Sequence, residues 1–163
     1  MNNLKLNALT VIISSIIVVG CQNESKSTAI APKKSESELK EIIKQQVDSL
    51  YLEYEKFGFE WIDFYEDEFI AIYPDSPVKK VTKDSLIAQW EGIYKKYDVQ
   101  LVSRGKPNVI VSQDMAVSYN SFNEIFIDKT SMDTIKNVGT YIVNWRKQED
   151  GSWKIAFETL QNN

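Results

Sequence analysis

Apolar residues follow two different periods along the chain. From Ser37 to Phe57, the residues Leu39, Ile42, Ile43, Val47, Leu50, Tyr51, Tyr54 and Phe57 recur at steps of three and four. That spacing places them on one face of an α-helix. Ser35-x-x-Glu38 at its start has the form of a capping box, and Gly58 follows as a breaker. In "FEWIDFYEDEF", Trp61, Phe64 and Tyr65 predict a short second helix. "EFIAIYP" reads as a strand stopped by the turn "PDSP". Thr82 with Asp84 opens a third helix carrying Leu86, Ile87, Trp90, Ile93, Tyr94 and Tyr97. From Asp98 onward the period falls to two. "VQLVSRG", "PNVIVSQ" and "MAVSYNSFNEIFI" are strand-like, and "NVGTYIVNWRKQ" and "SWKIAFETL" form a hairpin across "EDG". Three helices with one strand among them, then four or five antiparallel strands, predict an α+β fold. Its sheet would be single and curved, with the helices on one face.

The segment before Ser35 obeys neither period. Ala8–Val19 is a 12-residue apolar run behind Lys5, and it ends at Cys21, the only cysteine. A bilayer span needs roughly 20 apolar residues, so the run reads as the hydrophobic part of a signal peptide. "VVGC" resembles the lipobox of bacterial lipoproteins. That resemblance implies cleavage between Gly20 and Cys21, lipidation of Cys21, and attachment to a membrane through two or more acyl chains. "QNESKSTAIAPKKS" is then a flexible tether. The expected organisation is a signal peptide over 1–20, lipidated Cys21 and tether over 21–35, and one domain over 36–163. Gln22 stands where enteric inner-membrane lipoproteins carry Asp, so the expected address is the cell envelope, the outer membrane rather than the inner.

Composition removes several kinds of chemistry. The net charge is -4, and loss of Lys5 with the leader leaves 18 basic against 23 acidic residues, a net of -5. Nucleic acid is therefore not the expected partner. The chain has no histidine, which excludes His-based metal sites, Ser-His-Asp and Cys-His systems. One cysteine allows no intrachain disulfide. No cofactor and no metal site reads from the sequence.

"WIDFYEDEFIAIYPDSP", "VTKDSLIAQWEGIY", "VSQDMAVSYNSF" and "GTYIVNWRKQEDGSWKIAFETL" together resemble the nuclear transport factor two-like superfamily, on its SnoaL-like branch, over about Ser37–Gln161. The resemblance implies a cone-shaped roll, in which a strongly curved, mostly antiparallel sheet wraps about three N-terminal helices. It also implies a pocket at the wide end and a homodimer through the sheet. Steroid-isomerase relatives use a carboxylate base just before a proline at the end of the first strand, with a tyrosine and a protonated Asp as oxyanion hole. Here Tyr73 precedes Pro74, and Thr140 and Tyr141 stand where that Asp is needed. Tyr51 and Tyr54 remain as hydroxyl donors.

The expected pocket is aromatic-lined, bounded by Trp61, Tyr65, Tyr73, Trp90, Tyr119 and Tyr141, and takes a small amphipathic molecule. The rival enzyme reading, an isomerase, dehydratase or hydrolase, uses Asp75 or Asp63 as base with a tyrosine. A second rival is a protein-interaction module using the sheet face. The acidic run Glu60, Asp63, Glu66, Asp67 and Glu68 reads as a solvated turn. Glu124 and Arg146 face either the cone mouth or solvent, because both faces of "SYNSFNEIF" mix polar and apolar residues.

Overall fold

The computed structural model describes residues 33–74 and 76–162. Cys21, the leader and Asp75 lie outside the described residues. Helix α1 spans Glu36–Tyr54, opened by the reciprocal Ser35–Glu38 capping box. It buries Leu39, Ile43, Val47, Leu50, Tyr51 and Tyr54. Each fully buried aliphatic chain of this kind contributes about 1.5–3 kcal/mol. The helix ends one turn sooner than its periodicity suggests, because Phe57 takes a left-handed conformation (φ 56°) ahead of Gly58. Helix α2, Lys83–Lys96, starts at Thr82, whose side chain and backbone exchange hydrogen bonds with Ser85.

The expected second helix is a single 3₁₀ turn, Glu60–Phe64, and strand β1 (Tyr65–Ile72) begins directly after it. So only two α-helices form among the described residues. Tyr65 is captured by backbone pairing with Ile155, which outweighs the weak helical period of an aromatic-rich segment. The remaining strands are β2 (Lys79–Thr82), β3 (Tyr97–Arg104), β4 (Asn108–Val111), β5 (Met115–Asp128), β6 (Thr134–Lys147) and β7 (Trp153–Asn162). Their order is β2-β1-β7-β6-β5-β3, with β4 also on β5. Every pair is antiparallel except β1 with β7. Both helices and the 3₁₀ turn pack on the inner face of this sheet, where one core joins Ile43 and Val47 to Phe69, Trp145 and Ile155. Among the described residues no helix is long and apolar enough to cross a membrane.

Two irregularities shape the inner face. Gly139 on β6 lies so close to the backbone of Gln161 that an added Cβ would strike its carbonyl oxygen, so only glycine allows β6 and β7 to approach there. On β7 the register shifts: Trp145 pairs with Ile155 and Asn144 with Phe157, leaving Ala156 as an extra residue. A β-bulge of this kind reverses which side chains point inward beyond it.

Candidate functional site

The bulge at Ala156 aims Glu158 inward. Trp153 and Ile155 face the core before it, and strict alternation would send Phe157 and Thr159 the same way. With one residue inserted, Glu158 and Leu160 turn to the cavity instead. Glu158 is 3% exposed. Its Oε2 accepts hydrogen bonds from the hydroxyls of Tyr65 at 2.6 Å and Tyr141 at 2.5 Å, and its Oε1 accepts from Tyr73. The Tyr65 and Tyr141 hydroxyls are themselves 2.6 Å apart. Burial, and then the neighbouring Glu158 carboxylate, raise the Tyr65, Tyr73 and Tyr141 hydroxyls well above the usual phenol range.

This cluster forms one part of the wall of a cavity of about 220 Å³ between the helices and the sheet. Tyr54 of α1, Trp61 of the 3₁₀ turn and Trp90 of α2 form another part. Their ring centroids stand 5.3–5.6 Å apart at interplanar angles of 77–89°, the edge-to-face geometry that aromatic quadrupoles favour. The Trp61 indole N–H donates to the Gly58 carbonyl at 3.0 Å, which fixes its ring. Phe122 and Phe126 supply the sheet side, and Gln89, exposed on α2, stands at the edge.

A second carboxylate, Glu124 on β5, also lines the cavity and accepts from Asn137 Nδ2 at 3.2 Å. Burial raises its pKa; the Tyr54 and Asn137 side chains pull the other way and only partly offset it. The Tyr54 hydroxyl, in a side chain 7% exposed, faces Glu124 but closes no hydrogen bond of ordinary geometry. Its own pKa is pushed far up, by burial first and by Glu124 second. Nearby, the buried Tyr51 hydroxyl accepts from Asn120 Nδ2 at 2.9 Å. None of the ion pairs among the described residues involves Glu124 or Glu158. No group of three His, Cys, Asp or Glu side chains among those residues is placed to hold a metal ion.

The structure brings Trp61, Tyr65, Tyr73, Trp90 and Tyr141 to this one cavity. Tyr119 does not join them. It is 39% exposed, on the outer face of β5, because the even-numbered residues Ala116, Ser118, Asn120 and Phe122 are the buried ones. Two of those are polar and satisfied internally: Ser118 accepts from Trp145 Nε1 and Asn120 donates to Tyr51. Their polarity hides the inward phase of the strand. Asp63 is also outside the cavity, on the surface, where its backbone carbonyl accepts from Lys154 at 2.5 Å. Arg146 points outward to Glu66 at 2.9 Å, while Asp67 and Glu68 pair with Lys83 and Lys80. Among the described residues the carboxylates of the cavity are thus Glu124 and Glu158. The second carries no signal in a strictly alternating strand.

No protein-family model and no curated protein sequence matches the chain. Solved structures do. A nuclear transport factor 2-like superfamily protein from Salmonella enterica superposes with a TM-score of 0.64 at 14% identity, covering 78% of this chain and 93% of its own. A ketosteroid isomerase-like protein from Erwinia carotovora atroseptica gives 0.60 at 15% identity, covering 77% and 96%. A nuclear transport factor 2-like protein of unknown function from Pseudomonas putida gives 0.62 at 17%, covering 78% and 89%. Likeness at such low identity speaks to architecture alone, and the architecture of this domain is the nuclear transport factor 2-like cone.

Proposed function

We propose that the domain is a binding module that holds one small, largely apolar molecule with a polar group inside the cone. The observation that carries this reading is the cavity itself. It is walled by aromatic rings, of a size for a small ligand, with a few fixed polar groups set among them. Gln89→Trp tests it. Gln89 is exposed at the edge of the cavity, so a large ring there fills the opening without disturbing the core. Native mass spectrometry of the gently isolated protein is expected to show a retained adduct that Gln89→Trp abolishes at unchanged melting temperature. An adduct that persists in the variant places the ligand elsewhere.

A second reading, acid–base chemistry on the bound molecule, is favoured by one observation. A carboxyl group with its pKa raised by burial, Glu124, lies in the cavity beside the Tyr54 hydroxyl. The solved relative described as ketosteroid isomerase-like makes an isomerase the first class to assay. Here Glu124 or Glu158 would take the part that the sequence suggested for Asp63 or Asp75. Turnover lost in Glu124→Gln, with binding kept, supports catalysis.

The "VVGC" pattern and the polar tether support a further part of the proposal: Cys21 is lipidated and the domain is held at the cell envelope. Palmitate labelling lost in Cys21→Ala is the expected result, and labelling that survives the substitution refutes it.

A further inference from the structure

We infer that the cavity selects an organic cation, an amine or alkylammonium on an apolar body, over neutral and anionic molecules of the same shape. The inference rests on the binding reading above and specifies its ligand class. Three observations carry it. First, among the described residues the lining contains two carboxylates, Glu124 and Glu158, and no lysine or arginine. Second, neither carboxylate is engaged by a cation among the described residues. Third, the Tyr54 side chain is more than nine-tenths buried at the cavity wall, and its hydroxyl closes no hydrogen bond of ordinary geometry among the described residues.

The two carboxylates are not equivalent. Glu158 already accepts from three phenols, so its lone pairs are largely occupied. Glu124 accepts one hydrogen bond, from the neutral amide of Asn137. An ammonium beside Glu124 would donate to its free lone pairs and to the unpartnered oxygen of Tyr54. The faces and edges of Tyr54, Trp61 and Trp90 lie within the same wall, and π-faces attract a desolvated cation. An anion would meet two carboxyl groups with no cation beside them among the described residues. A neutral alcohol would leave the half-buried Glu124 without a counter-charge.

The pH dependence follows. The groups facing Glu124 are Tyr51 and Tyr54 from α1, Tyr94 from α2 and Asn137 from β6, with apolar Leu101 opposite it on β3. Glu158 shares the cavity. Arg104 lies 4.8 Å over the Tyr51 ring and is held by Asp48 at 2.7 Å. The three phenols are raised and stay neutral below pH 10. Burial raises Glu124 as well. Ammonium affinity is therefore full on the alkaline side of that raised value and falls as pH drops through it.

Three probes of similar size test the inference in the full chain: phenethylammonium, phenethyl alcohol and phenylpropionate. Binding is followed by calorimetry and by the fluorescence of Trp61 and Trp90. The ammonium is expected to bind about tenfold or more tighter than the alcohol, a difference on the scale of one desolvated cation–π contact with a charge pair, and the carboxylate not at all. In Glu124→Gln the preference is expected to collapse to about twofold at an unchanged melting temperature, which shows that the variant is folded. If the alcohol or the carboxylate binds as tightly as the ammonium, and Gln89→Trp blocks it, the cation inference is wrong and the binding reading stands. If none of the three binds, both are wrong.

Discussion

The buried phenols make stability collapse in alkali, by an amount that follows from the structure. An unfolded tyrosine ionises near the ordinary value of 10. In the fold, burial pushes Tyr51 up to about 12 and raises Tyr54 and Tyr65 further. Above pH 10 the unfolded chain therefore releases protons that the folded chain keeps. The native state binds more protons, so stability falls with rising pH; it is undiminished below 10. Each retained proton is worth about 1.4 kcal/mol per pH unit once the unfolded group has titrated. Three such phenols give about 4 kcal/mol at pH 11, a large part of the 5–15 kcal/mol that a typical domain has. Tyr73 and Tyr141, raised by burial and by Glu158, act in the same direction. Urea unfolding at a series of pH values from 8 to about 11.5, with tyrosinate absorbance recorded in parallel, measures this. Tyr54→Phe isolates one group. Its hydroxyl closes no hydrogen bond of ordinary geometry among the described residues, so at pH 7 the variant is expected to be about as stable as the parent. At pH 11 it should recover about 1.4 kcal/mol relative to the parent. An unchanged alkaline slope in Tyr54→Phe, or all eight tyrosines ionising near 10 before unfolding begins, refutes the reasoning.

Two further substitutions probe the scaffold. Glu158→Leu removes the acceptor of three phenols; Tyr65 and Tyr141 can still bond each other at 2.6 Å, so the expected loss in urea unfolding is about 2–3 kcal/mol rather than three full penalties. Glu158→Gln, which keeps an acceptor oxygen, should cost about 1 kcal/mol; equal losses in the two variants would mean that packing, not hydrogen bonding, holds the cluster. Gly139→Ala forces β6 away from the Gln161 backbone and should cost about 1–3 kcal/mol, visible as faster amide exchange in β7; protection equal to the parent's would show that the strands yield easily.

What the sequence makes legible is what periodicity and local chemistry control. The Ser35–Glu38 box, the Thr82 start and the long strands need only near neighbours. The aromatic rings of the cavity are legible because the apolar stripe of α2 must face the sheet and carries Trp90 with it. Three features resist reading. The 3₁₀ turn at Glu60–Phe64 is set by a strand pairing across some 90 residues, and no window contains it. Tyr119 is misplaced because Ser118 and Asn120, which look like surface, are buried beside partners from β6 and α1. Glu158 is hidden because an inserted Ala156 inverts the phase of its strand, and nothing in "KIAFETL" marks that insertion.

The place of β7 in the sheet has a consequence for how the molecule is made. This strand is synthesised after the six others described, yet it lies inside the sheet, between β1 and β6. Without it the sheet would divide into two pieces, the β1–β2 pair and a part in which β5 joins β6 to β3 and β4. Each exposes a strand edge able to pair with a stranger. The helix hydrogen bonds of α1 and α2 form locally, but the β1–β7 ladder closes a loop of most of the domain, a slow step. Slow synthesis would therefore prolong the time in which these edges stand open. A chaperone that shields the edges of β1 and β6 would raise the yield more than one that accelerates helix formation.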